Sequence, residues 1–136
     1  MDSTVAQLRA LQFLAHRAHN VVKGPTFFED HEFLGELYPA YEKAYDDLVE
    51  LIIGTNAESL SICKVNKAAA EMSSVSPNET SPEAFFRIIL KGEKDLCAMI
   101  EESIKEQTQG TQNLLAQIAD DSEKRIYSLK QRLATA

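Results

Sequence analysis

Apolar residues recur every three or four positions over four long stretches, and most of the chain's four prolines and five glycines fall at the edges of those stretches. That period belongs to helices, with Gly and Pro as the punctuation between them. The first stretch runs from Ser3, read as the cap, to about Lys23, with Leu8, Leu11, Ala15, Ala18 and Val22 on one seam. Lys23, Gly24, Pro25 and Thr26 then make a tight turn, because Gly ends a helix and Pro cannot continue one. A second helix is predicted from residue 27 to 53, with Leu34, Tyr38, Tyr41, Tyr45, Leu48 and Ile52 on its seam and Gly54 at its end. Pro39 falls inside it and is expected to kink it.

Asn, Ser, Thr and Pro cluster between residues 55 and 81 around one apolar-rich piece, roughly Ala57 to Met72. This reads as a long crossover that contains a short helix. Ser81, Pro82 and Glu83 supply a cap, a first-turn proline and a first-turn acid. The seam that follows is Ile89, Leu96, Ile100 and Ile104; Gly110 and Thr111 are then expected to break and restart the chain. Leu115, Ile118, Ser122, Ile126, Leu129 and Leu133 give a fourth seam. Four long helices with one long connection, between the second and third, define an all-α, ferritin-like four-helix bundle. At 136 residues the chain is read as one domain, 1–136, long enough to bury a real core.

Twenty-one acidic against 14 basic residues, a formal net charge of -7, argue against a phosphate-binding surface and for cations as partners. With no charged-then-apolar leader pattern and no apolar run near the roughly 18 residues that span a bilayer, a cytoplasmic location without membrane association is expected. Cys63 and Cys97 are too few and too far apart for a disulfide framework and are read as free thiols. Phe13 and Leu14 lie off the first seam, and Phe27, Phe28 and Phe33 add apolar area at the start of the second helix. That excess predicts association of the chain with its own copies.

Four residues carry the candidate chemistry: His19, His31, Asp46 and Glu50. His19 and His31 are equidistant from Pro25, so an antiparallel hairpin sets them level. Asp46 and Glu50 stand one turn apart and aim at one spot. His31 and Asp46, however, lie roughly 22 Å apart along one helix, which no single ion bridges. Two such helices, antiparallel about a two-fold near Tyr38, Pro39 and Ala40, bring His31 of one chain level with Asp46 or Glu50 of the other. Imidazole with carboxylate suits iron, zinc or manganese better than calcium or magnesium. His16, one turn before His19, is read as a solvated or interface residue, and Tyr38, Tyr41 and Tyr45 as core.

The stretch His19 to Gly54, HNVVKGPTFFEDHEFLGELYPAYEKAYDDLVELIIG, resembles the Dps proteins, mini-ferritins whose twelve subunits form a hollow shell. The matching pattern is a His near the end of the first helix, a Gly and Phe, and a second His 12 residues after the first, followed by residues equivalent to Phe33, Tyr38, Asp46 and Glu50. The ending GTQNLLAQIADDSEKRIYSLKQRL is similar too. The resemblance implies a homododecamer for iron storage or protection from oxidative stress. Its ferroxidase centre oxidises Fe(II), typically with peroxide. By this resemblance His19 and His31 would come from one subunit and Asp46 and Glu50 from its two-fold mate. Glu50 would be the principal bridging carboxylate, and Asp46 would help hold the more weakly bound iron.

Two departures stand out. Gly35 occupies the position, one turn after His31, where the family carries an acid; Glu32 and Glu36 point about 60° or more away from it. Asn20 stands where the family has Trp beside its first His. Two readings therefore stay open: a Dps-like ferroxidase, active if the site works despite Gly35, or an assembled shell with a degenerate metal site. The family often binds DNA through a Lys-rich tail; only Met1 and Asp2 precede the first cap, so DNA binding is not expected. Lys124, Arg125, Lys130 and Arg132 are read as complementing the dipole of the last helix.

Overall fold

The computed structural model describes residues 1–55 and 59–135 and contains five α-helices among them. These are α1 (Asp2–Val21), α2 (Phe27–Thr55), α3 (Ile62–Met72), α4 (Pro82–Ser103) and α5 (Gln109–Leu133), with a 3-10 turn at Ile104–Glu106. α1 pairs with α2, α4 pairs with α5, and α1 against α4 and α2 against α5 close the four-helix bundle; α3 packs across α1. No helix among the described residues is long and apolar enough to cross a membrane.

Several boundaries differ from the sequence reading, each for a local reason. α1 begins two residues earlier, with Met1 instead of Ser3 at the cap position and no side-chain cap, so Ser3 lies inside the first turn. The acid at Asp2 complements the helix dipole there. Between α1 and α2 the turn falls where Gly24 and Pro25 put it, Gly24 adopting a φ of +129° that other residues rarely take. Pro39 sits within an uninterrupted helical span. Ser61 caps α3 by accepting a hydrogen bond from the Lys64 amide, so the crossover helix starts later than Ala57, which lies outside the described residues. Ser81 caps α4 as expected, accepting from the Ala84 amide at 3.2 Å. The last break falls before Gly110 rather than at it: Thr108 caps α5 through the Thr111 amide, and Gly110 is helical.

The core joins all four seams, with Leu8, Leu11, Tyr41, Leu48, Phe85, Ile89, Leu96, Leu115 and Leu129 fully buried. Leu14, read as pointing elsewhere, belongs to this core, because α3 and α4 widen the buried stripe of α1. Phe33 packs edge-on against Phe86, and Phe13 lies half-buried with the Arg9 guanidinium over its ring. Of the five off-seam apolar residues, Phe28 alone stands open, at 80 % exposure. Cys63 is exposed and Cys97 half-buried; both are free.

α4 packs tightly against α1 at Gly92. A methyl group there would lie 2.7 Å from Leu11 Cδ2 and 3.2 Å from Gln7 Nε2, whose amide donates to the Gly92 carbonyl at 2.8 Å. Gly92→Ala should therefore lower the thermal midpoint. Overpacking costs about 1–3 kcal/mol, which outweighs the gain of about 1 kcal/mol in helix propensity. A rise in the midpoint would show that α1 and α4 separate freely.

Candidate metal centre

The α1–α2 hairpin stacks His19 on His31, with ring centroids 3.8 Å apart and planes within 16°. Each Nδ1 meets the other residue's backbone carbonyl, at 2.9 Å for His19 and 2.8 Å for His31. A carbonyl only accepts, so both Nδ1 atoms carry the proton and both Nε2 atoms keep a free lone pair. Reciprocal bonds of this kind fix tautomer and ring orientation in the way a metal-binding imidazole requires. The pair is flanked by Phe27, stacked on His31 at 4.8 Å, and by Tyr38, tilted against His19 at 5.4 Å. His16 is exposed and stacks on Tyr38 at 4.0 Å, which gives that side chain a partner invisible in its spacing. Tyr41 and Tyr45 are buried, as their seam positions require, whereas Tyr38 is half-buried.

Asp46 and Glu50 are exposed on α2 and share one flank with Lys43. Lys43 donates to Asp47 at 2.8 Å; that bond, and then the charges of Asp47, Asp46 and Glu50, push the ammonium pKa up. The four candidate ligands thus fall into two separate pairs on one chain. No group of three His, Cys, Asp or Glu converges among the described residues.

Gly35 lies directly beneath His19. A Cβ there would sit 3.0 Å from His19 Cε1 and 3.3 Å from its Nδ1. An acid would enter only if the imidazole moved by a few tenths of an ångström. Glu36 borders the groove between α2 and α5, beside Leu37, Asp121 and Arg125, so it faces away from the histidines.

The bundle interior is differently occupied. Glu93 is fully buried on α4; it accepts from the Ser122 hydroxyl at 3.1 Å and pairs with Arg125 through the guanidinium Nε and Nη2. The Arg125 guanidinium lies 4.8 Å over the Tyr41 ring. Tyr41's hydroxyl is buried beside Glu93 and Arg125, and burial, then the Glu93 charge, pushes its phenol well above the ordinary value. A guanidinium thus neutralises the central carboxylate. At the end of the bundle Arg132 holds Asp30 through two 2.9 Å bonds and reaches Glu83 at 3.1 Å. Arg125 and Arg132 therefore serve ion pairs within the bundle, beyond the dipole role expected of the basic end of α5; Lys124 pairs with Asp120.

Fold and sequence place the chain in a class. The family profile of the ferritin-like domain matches residues 2–136, and the chain belongs to that family. Its fold is that of the Dps protein of Vibrio cholerae O1, described as a member of a broad superfamily of ferritin-like diiron-carboxylate proteins. The two agree with a TM-score of 0.70 at 22 % identity, over 98 % of this chain and 86 % of that one. General stress protein 20U of Bacillus subtilis (strain 168) is 29 % identical over 83 residues, which are 61 % of this chain and 57 % of that protein.

Proposed function

We propose that the protein is a Dps-like mini-ferritin subunit that assembles from two-fold dimers into a hollow, dodecameric shell in the cytoplasm. It binds Fe(II) between subunits for iron storage or protection from oxidative stress. The observation that carries this reading is the locked His19–His31 stack: two imidazoles with free Nε2 lone pairs, which no carboxylate among the described residues joins in a group of three. His19 and His31 would hold the metal from one subunit, and the partner's Asp46 and Glu50 would close the site. In oxidation, two Fe(II) each give one electron to hydrogen peroxide, whose O–O bond breaks to yield two waters after uptake of two protons. The glycine under His19 favours a second reading, a shell whose depleted site binds iron and oxidises it poorly.

Light scattering comes first, since a monomer rules out a shared site. Anaerobic Fe(II) titration of the assembled protein, followed by peroxide, should then show binding and oxidation. The His31→Ala, Glu50→Ala double variant should assemble at the same size with Fe(II) affinity at least about 100-fold weaker, because loss of supporting residues alone costs 10–100-fold. Equal binding by the two proteins defeats the assignment.

A further inference from the structure

We infer, on the reading that two subunits share one composite site, that Gly35 makes this site mononuclear. It takes one divalent cation, in a set of two imidazoles and two carboxylates, rather than a pair of ions. Charge, space and reach on this chain all bear on the count.

Charge comes first. A di-iron carboxylate bundle sets four carboxylates and two histidines around two ions, so that four negative charges meet four positive ones. The composite site offers two neutral imidazoles and the partner's Asp46 and Glu50. Two carboxylates balance one divalent ion and leave a second uncompensated in a partly desolvated interface, where unpaired charge is costly. Lys43 stands on the flank that carries Asp46 and Glu50, but its pairing with Asp47 leaves the balance at those two carboxylates unchanged.

Space comes second. A third carboxylate at position 35 would enter beside the His19 ring, whose Cε1 lies 3.0 Å from a Cβ built on Gly35, and would need that ring to give by a few tenths of an ångström. Both Nδ1 bonds hold the ring there. Reach comes third: Glu36 is turned to the α2–α5 groove, and Glu32, exposed on the same helix, lies about 60° around the axis from position 35. The remaining set of two nitrogens and two oxygens suits a single tetrahedral ion of the zinc or cobalt class.

Cobalt(II) alone is the probe, because its visible spectrum reports coordination number without any turnover. Equilibrium dialysis of the assembled protein should give one Co(II) per chain that is lost in the His31→Ala, Glu50→Ala variant, with a tetrahedral spectrum and no magnetic coupling between ions. Gly35→Asp should raise the count to two and couple them, while Gly35→Ala, which crowds His19 without adding a ligand, should leave it at one or below. Two coupled Co(II) per chain in the native protein would overturn the single-ion site while leaving the composite site standing. A count that stays at one in assembled Gly35→Asp would remove Gly35 as the determinant. No Co(II) dependent on His31 and Glu50 would remove the composite site itself, and the inference with it. The native stoichiometry decides the matter even where a Gly35 variant fails to assemble.

Discussion

Glu93→Ala should cost about 3–5 kcal/mol of folding stability, because it leaves the Arg125 guanidinium without its counter-charge inside the bundle. Arg125 has 15 % of its side chain exposed and Glu93 none, so water cannot take over the lost interaction. The Ser122 hydroxyl, which donates to the Glu93 carboxylate and to its backbone carbonyl, loses the first of these acceptors in the same step, while Tyr41 keeps a cation over its ring with Asp121 as a weaker remaining counter-charge. Replacing both charges with apolar residues of similar volume has a different sign. Glu93→Leu combined with Arg125→Met should hold stability near the native value or raise it, because desolvating the pair costs about as much as its attraction returns. Chemical denaturation of the three proteins, followed by helical circular dichroism at equal protein concentration, separates the cases. If Glu93→Ala unfolds like the native protein, the pair is solvated. If the double variant collapses with the single one, Glu93 and Arg125 do more than neutralise each other.

The sequence reading missed that pair, although its position carries a signal. Position 93 falls on the α4 seam between Ile89 and Leu96, where an apolar residue is expected and a glutamate stands. A charge at a seam position calls for a partner, but the spacing cannot say which cation on which helix supplies it. The helices themselves were readable because caps and breakers act locally: Ser81 caps α4, and the Gly24–Pro25 turn separates α1 from α2. Misplaced ends have local causes as well. Thr108 outcompetes Gly110 as the start of α5 because its hydroxyl satisfies an orphan amide, which a glycine cannot do.

The candidate site divides in the same way. Equal distance from Pro25 sets His19 and His31 level, and the structure stacks them. Their crossed bonds to each other's carbonyls were not readable, since they depend on how far apart α1 and α2 pack. Nor was the contact between Gly35 and His19. The sequence shows a missing acid at position 35; the structure shows that the histidine ring already lies against the space such a side chain needs.

Arg132→Ala should cost about 2–3 kcal/mol at neutral pH, less than a fully buried pair because 29 % of the arginine side chain meets water. Arg132 binds both oxygens of Asp30, reaches Glu83 and Thr26, and lies 5.3 Å over Phe86, so one side chain fastens α2, α4 and α5 at this end of the bundle. A lysine has no planar fork to meet these groups together, and Arg132→Lys should recover less than half of the loss. The pH dependence has a definite sign. Burial pushes the Asp30 carboxyl up, but hydrogen bonds from Arg132 and Thr26 and the charge of Arg132 outweigh it, leaving the pKa below its ordinary value. For Glu83, a backbone hydrogen bond first and Arg132 second act in the same direction. A carboxyl depressed in the folded state contributes stability that is complete above its unfolded-state pKa, near 4, and is lost as pH falls through the folded-state value. The native protein should therefore lose stability below about pH 4 more steeply than Arg132→Ala, and the two denaturation midpoints should converge toward pH 2. Parallel curves across that range would mean that Arg132 holds the helices by packing over Phe86 and not by its charge.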